Sequence, residues 1–300
     1  MLPPFTIAGL GEALFDCYPD GRRLLGGAPF NFAVQAHRIA SRFGGRAIPI
    51  TRIGDDEFGR EFLGGLTTTR EAIQIDAVHP TGRVDVTVIA GEPHYNITEK
   101  VAWDFLEFHP FQCEAVCFGT LAQRAPVSRD SIQRFVAQMP RSSLRLFDIN
   151  LRQHFWDRTV IEQSLDLATA AKLNRDEMNV IAEMFRLDGP ADLRSAFSLD
   201  SVILTEGEGG TSLFTRDRVV RGKPVRFDPA PDADAVGAGD ACAAAITVGL
   251  VAGWPLDQVV NFANTIGAYV ASRRGALPEL PDAIFAGLGS SAPDHRNALA

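Results

Sequence analysis

The chain has 300 residues, of which 46% are hydrophobic and 22% charged, and its net charge is −8. That is the profile of one large or two ordinary globular domains, and it excludes disorder, collagen-like repeats and small disulfide scaffolds. No basic run exceeds two residues, so nucleic acid is not an expected partner. In chain order, short apolar runs predict strands at Phe5–Gly9, Ala47–Ile53, Ala115–Gly119, Leu144–Ile149, Ala170–Asn174 and Ser201–Thr205. Helical periodicity falls between and after them, at Pro29–Phe43, Glu57–Leu66, Ser128–Met139, Asp157–Leu167, Arg175–Arg186, Gly239–Ala252 and Leu256–Arg273. Strands that alternate with helices imply a mostly parallel sheet covered on both faces.

Two segments break the alternation. Residues 12–26 and 82–105 read as strands with polar turns, and Val84, Val86 and Val88 alternate with Asp85 and Thr87 in a half-buried period of two. They are expected to form a small β-lid on a single α/β domain spanning 1–300. A lid excludes water from transfer chemistry. An exposed lid sheet also leaves edges to cover, so a homodimer formed through the lid is a candidate assembly.

The four cysteines make no disulfide framework, and the six histidines show no H-x-x-x-H or H-x-H pair that would hold zinc. The cysteines read as small buried hydrophobes in a reducing compartment. No basic residue precedes Arg22, so a secretory leader is not expected. The longest uncharged stretch, Ala241–Leu256, falls short of the ~20 residues needed to cross a bilayer. No membrane partner is expected, and a cytoplasmic location is.

Known nucleotide motifs fail one by one. The P-loop needs Gly-Lys followed by Ser or Thr, but Lys100, Lys172 and Lys223 precede Val101, Leu173 and Pro224. The dinucleotide fingerprint is half-present at Gly9-Leu10-Gly11, with Leu14 at its third glycine position. The segment Asp234-Ala-Val-Gly-Ala-Gly-Asp240 is different, because it runs straight into an apolar helix. Gly237, Ala238 and Gly239 then sit at a helix N-terminus, where free N–H groups and the positive dipole end attract an anion. Asp240 in that first turn is either a dipole-favouring carboxylate or a base that takes a proton from an incoming hydroxyl.

Three further constellations have the same two-sided character. Gly26-Gly27-Ala28-Pro29-Phe30-Asn31 is a diglycine turn into a helix, with Asn31 off the apolar stripe; it is a ligand approach or an ordinary cap. Lys172-Leu-Asn174-Arg-Asp-Glu177 falls at a strand end, where parallel sheets bind ligands, and Glu177 can order Mg²⁺-bound water; it is also a capping box. Leu204-Thr205-Glu206-Gly207-Glu208-Gly209-Gly210 is a strand end against a nucleotide or a glycine-rich turn.

In this order and at these spacings, the four pieces resemble the ribokinase-like (PfkB) carbohydrate kinases over roughly Ile7 to Pro281. Gly54-Asp55-Asp56-Glu57-Phe58-Gly59 and Asp148-Ile-Asn150-Leu-Arg152 also look like that family. The resemblance implies transfer of the γ-phosphoryl group of ATP, carried with Mg²⁺, to a hydroxyl of a small sugar. It matches Asp240 to the general base and Gly237, Ala238 and Gly239 to the anion hole. Asp16, Gly27 and Asn31 match sugar ligands. Asn174 and Glu177 match the nucleotide–Mg²⁺ motif, and Thr205, Gly207 and Asn264 match nucleotide-pocket positions. Asp234 matches a residue associated with a monovalent cation, K⁺. Ala235 stands where the family usually has Thr, and Glu279 where some relatives have a smaller polar residue. Gly26-Gly27-Ala28-Pro29, Gly11-Glu12, Gly119-Thr120 and Trp103-Asp104 look most like fructokinases. Arg152 meets a substrate carboxylate or phosphate, as in ketodeoxygluconate kinases, or a structural ion-pair partner; the second reading is preferred here. Kinases for ketodeoxygluconate or nucleosides are the same-fold alternatives, and a silent sugar sensor is the alternative from another class.

Overall fold

In the computed structural model, which describes residues 4–89, 92–286 and 288, the alternation of strands and helices becomes two sheets. The N-terminal part comprises β1 (Thr6–Leu10), β2 (Leu14–Cys17), β3 (Arg23–Gly26), α1 (Ala28–Ala40), β4 (Arg46–Gly54), α2 (Glu57–Gly65), β5 (Ile73–Asp76), β6 (Gly82–Ile89) and β7 (Glu92–Ile97). The middle holds β8 (Ala115–Phe118), α3 (Pro126–Gln138), β9 (Leu144–Asp148), α4 (Arg158–Leu167), β10 (Ala170–Asn174), α5 (Arg175–Phe185) and α6 (Pro190–Ala196). The C-terminal part comprises β11 (Ser201–Thr205), β12 (Thr211–Thr215), β13 (Val219–Arg221), α7 (Ala238–Val251) and α8 (Leu256–Ala271).

The large sheet has nine strands in the order β13-β12-β11-β10-β9-β8-β1-β4-β5. All neighbours from β11 to β5 run parallel, and β12 and β13 add an antiparallel edge. Strands such as Ala170-Ala171-Lys172-Leu173 are buried on both faces because helices cover both. Residues of α1, α7 and α8 form one core with one face of the sheet, and residues of α3, α4, α5 and α6 form the core on the other. From β1 the chain order spreads outward both ways, through β4 on one side and β8 on the other. The crevice beyond the carboxyl ends of β1 and β8 is thus the switch point at which open α/β sheets take ligands.

The small sheet has the order β3-β2-β6-β7, and β2 pairs with β6 in parallel. Asp16, Leu24, Val84 and Ile97 share one register row and so one face. The expected extent of the second segment, to residue 105, runs past the sheet. Residues Ala102–Phe105 form a 3-10 turn, and Trp103 is fully buried in the main core under the start of β6. β5, α6, β12 and β13 are additions to the expected elements. They are short, and two of them, β5 and β13, are the edge strands of the large sheet, where half-exposed sequence carries a weak pattern.

Gly9 explains why half of a dinucleotide fingerprint is present without its function. A Cβ there would lie 2.1 Å from the Pro29 carbonyl oxygen and 3.0 Å from the Ala33 Cβ. The glycine lets α1 lie directly on β1, and neither backbone can give way. Gly9→Ala is expected to destabilise the fold by roughly 1–3 kcal/mol or more. The midpoint of urea unfolding at unchanged m-value checks this.

Candidate active site

A cavity of about 520 Å³ occupies the switch point, with the small sheet as one wall and the carboxyl ends of the parallel strands as its floor. Asp16, Gly27, Asn31, Arg152, Asn174, Glu177, Thr205, Gly237, Gly239 and Asp240 all line it. Ala238, Gly207, Asn264 and Asp234 do not appear in its wall.

The N-terminus of α7 is built by a turn. Gly237 adopts φ 75° as the N-cap, a backbone shape that favours glycine, and a Cβ there would also strike Ala276 at 2.4 Å. The Ala238 amide donates to the Ala235 carbonyl at 3.3 Å, and the Ala241 amide donates to the Gly237 carbonyl. The first-turn amides of Gly239 and Asp240 are left as donors without a backbone partner among the described residues, an arrangement that suits an anion. Asp240 accepts a hydrogen bond of 2.9 Å from Asn31 Nδ2, a contact across 209 positions in sequence. Pro29 at the start of α1 and the diglycine before it aim Asn31 at that carboxylate.

Two charged residues in this site stand inside the quoted motifs but were given no role there. Lys172 Nζ donates to both oxygens of Asp148, at 3.0 and 2.9 Å, and both side chains are buried. A Cβ on Gly239 would lie 3.4 Å from the same Nζ, so the ammonium sits directly under the α7 terminus. Burial works against this charge, but Asp148 and Glu177 outweigh it and hold Lys172 above the ordinary lysine range. The third omission is Glu12, which is nearly fully buried in the cavity wall. The available signals were a lysine inside an apolar strand, the family-like segment at Asp148 and the Gly11-Glu12 pair after β1.

The capping box at Asn174 is real: its side chain accepts from the Glu177 amide, and Glu177 Oε2 accepts from the Asn174 amide, both at 2.8 Å. Glu177 Oε1 accepts from the Leu151 amide at 2.9 Å. Each carboxylate oxygen therefore holds one backbone donor, so the capping role leaves acceptor capacity in the cavity wall. Thr205 Oγ1 sits over the Leu173 carbonyl at 3.4 Å. Asn264 instead packs behind the wall, where its Nδ2 donates to the Lys223 carbonyl and crowds Gly210 and Gly222. Gly207 lies in the turn after β11 at φ 56°. Asp234 accepts from the amides of Val236 and Gly275 and pins the two loops together.

Arg152 differs from the preferred expectation. It is exposed on the cavity wall, donates only a long bond to the Leu151 carbonyl, and forms no ion pair among the described residues. Its charge nevertheless reaches the acids around it. Burial pushes Glu12 up to about 7 and Asp16 and Asp240 up to about 6, and Arg152 offsets part of each rise. Neighbouring carboxylates add to the rises, with Asp148 acting on Asp240 and Asp240 on Glu12. Burial, with Asp148, also raises Glu177.

An acid beside free helix-terminal amides at the mouth of a parallel sheet is a layout suited to moving a phosphoryl group. Known proteins agree on the class. Residues 19–283 match the family described as pfkB family carbohydrate kinase, and the chain belongs to that family. A fructokinase of Klebsiella pneumoniae is 31% identical over 300 residues, covering 91% of this chain and 95% of that one. The crystal structure of a double-mutant fructokinase from Vibrio cholerae O395, in fructose, ADP and potassium ion bound form, superposes with a TM-score of 0.79. It is 26% identical and covers 95% of this chain and 98% of its own. The aminoimidazole riboside kinase of Salmonella enterica shares the fold, with a TM-score of 0.76 at 22% identity over 93% of this chain and 98% of its own. The protein is thus a sugar kinase that phosphorylates a hydroxyl. Among the described residues, no helix is long and apolar enough to cross a membrane.

The raised carboxyls have a sign for stability. In the unfolded chain Asp and Glu titrate near 4, so between about 4 and 7 the folded state binds more protons than the unfolded one. Their contribution is fully favourable below the unfolded values and is lost as pH rises through the folded ones. The melting temperature of the ligand-free protein is expected to fall between about pH 5 and pH 8. Asp240→Asn, which removes one of these charges, is expected to raise it by a few degrees at about pH 8 and by less at about pH 5. Calorimetric scans at both values check this.

Proposed function

We propose that the protein transfers the γ-phosphoryl group of ATP to fructose, with Asp240 as the general base. The observation that carries this reading is the Asn31–Asp240 hydrogen bond at the α7 N-terminus, which joins the diglycine helix to the anion-attracting turn. Asp240 accepts the proton of the attacking hydroxyl. A bond forms between that oxygen and the γ-phosphorus as the bridge to the β-phosphate breaks, and ADP leaves. The amides of the Gly237-Ala238-Gly239 turn, chiefly that of Gly239, and the Lys172 ammonium face the developing charge. Asp16, Gly27, Asn31 and Arg152 belong to the sugar end of the cavity, under the small sheet. Asn174 and Thr205 belong to the nucleotide end, with Gly207 and Asn264 shaping its wall from behind.

The residues fit a magnesium ion carried by the nucleotide. Glu177 keeps lone pairs in the wall, beside Asp148, where they would hold metal-bound water. Such an ion neutralises phosphate charge as the bond to the leaving group breaks. The oxygens of Asp234 keep acceptor capacity beyond their amide contacts, which suits a monovalent ion such as potassium next to the anion turn. The open β7 edge and exposed Tyr95 of the small sheet support a homodimer formed there. One observation favours a second substrate reading: the Arg152 guanidinium, which has no ion-pair partner among the described residues, would suit an acidic sugar such as ketodeoxygluconate.

ADP release at saturating ATP–Mg²⁺ across hexoses, pentoses, ketodeoxygluconate and nucleosides is expected to give fructose the highest kcat/KM; ketodeoxygluconate leading by a wide margin establishes the second reading instead. Asp240→Asn is expected to lose ~10²–10⁴ in kcat while ATP and sugar still bind. Retention of more than about a tenth of kcat leaves Asp240 a helix-terminal carboxylate and the mechanism without its base. Asp16→Ala is expected to raise the sugar KM roughly 5- to 150-fold with ATP affinity near wild type. Equal damage to ATP binding places Asp16 in the scaffold.

A further inference from the structure

Glu12 follows β1 at the switch point and is 2% exposed. Its main chain is clamped, because Gly27, at φ 106°, approaches so closely that a Cβ there would lie 2.6 Å from the Glu12 carbonyl oxygen. Part of its carboxyl has a structural use. The N-terminus of α1 has no side-chain cap and no acid in its first turn, and the Glu12 carboxylate is stabilised by its own amide and, to a smaller degree, by the Ala28 amide at that terminus. This accounts for one edge of the group. Oε2 is buried and has no hydrogen-bond partner among the described residues, and the same is true of Asn31 Oδ1. Both side chains line the cavity beside Asp240, to which Asn31 gives its other amide atom.

Buried polar atoms without partners are rare in folded proteins, since each costs the lost solvation of the group. Two such acceptors in one cavity wall, next to a carboxylate, ask for donors from a ligand. We propose that Glu12 is a further sugar ligand: its Oε2 pairs with a hydroxyl neighbouring the one that reacts, and the Oδ1 of Asn31 accepts from another. The inference rests on the reading that the sugar lies beside Asp240. Chemistry favours a hydroxyl over an amine or a bare apolar group. Burial and the nearby Asp240 charge bring Glu12 to about 7, so near neutral pH it accepts from a hydroxyl when ionised and donates to one when protonated. Replacing a hydroxyl by hydrogen strands the buried carboxyl, and discrimination of that kind is strong.

The test is a grid of variants against fructose and its monodeoxy analogues, with binding read by calorimetry so that no turnover is needed. Wild type is expected to bind one analogue about 10- to 100-fold more weakly than fructose because of Glu12. Glu12→Ala is expected to bind fructose and that analogue equally, with the penalties for the other analogues unchanged. Glu12→Gln, which keeps the volume and one acceptor, is expected to show a reduced penalty for the same analogue and guards against a folding loss in the alanine variant. An unchanged penalty for every analogue in a folded variant overturns the proposal, as does an equal loss across fructose and all analogues. Because binding alone is measured, failure of Asp240 as the base leaves the grid readable. If another sugar leads the substrate panel, its own monodeoxy series replaces the fructose series, and the same outcomes decide.

Discussion

The buried ammonium of Lys172 is the charge against which the rest of the site is set. Glu12, Asp16, Asp148, Glu177 and Asp240 all line one cavity, and Lys172 is the buried cation among them. Without it, Asp148 would be left as an uncompensated charge between two fully covered strands, a loss of roughly 3–5 kcal/mol when one partner of such a pair is removed. The bidentate contact also fixes the carboxyl ends of β9 and β10 relative to each other. Lys172 then lowers the cost of ionising Asp240 and Glu177 at the same time. Its position under Gly239 makes it part of the floor on which α7 begins.

Close backbone approach is the second constraint, and it explains how distant segments meet. Gly9 lets α1 lie on β1, and Gly27 lets the start of α1 press on the chain at Glu12. Those two contacts fix where Asn31 emerges. On the opposite side, α7 packs against α1 in one continuous core, so its first turn arrives beside Asn31 without any flexible element between. A site assembled from helix starts and strand ends on a packed scaffold is held more firmly than one built on loops alone.

Most of the architecture was legible because parallel strands and amphipathic helices carry strong patterns. Most observed helix ends lie within a residue or two of those expected, as at Leu256–Ala271 against Leu256–Arg273; α1 stops three residues short of Phe43, where a 3-10 turn takes over. The short edge elements β5 and β13 were not legible, because three or four half-exposed residues carry no period. In the site, glycine turns and caps announced α1, α5 and α7. Their roles were two-sided in sequence, and the structure shows why: Glu177 caps a helix and lines the cavity with the same carboxylate. Buried charges such as Asp148, Lys172 and Glu12 were harder to single out, since their meaning lies in partners on other strands. Asn264 shows the converse: the family resemblance alone assigns it to the nucleotide pocket, and its Nδ2 donates to the Lys223 carbonyl behind the wall.

The small sheet ties these features to chemistry through desolvation. Its cavity face carries Leu14, Val84 and Ile97 around Asp16, an apolar surface with one acid set into it. Covering the cavity with such a surface strengthens every charge interaction inside and keeps water from competing with the sugar hydroxyl. The same burial lifts Asp240 to about 6. An unperturbed aspartate is a weak base, whereas one that titrates closer to neutral pH takes a proton more readily and is still ionised when needed. Burial and the Asp148 charge raise this carboxylate, while the Asn31 hydrogen bond and, after it, the Lys172 ammonium hold the rise down. The covering sheet above and the amide and ammonium beside it therefore work in opposite directions on one carboxylate, and the result is a titration at about 6.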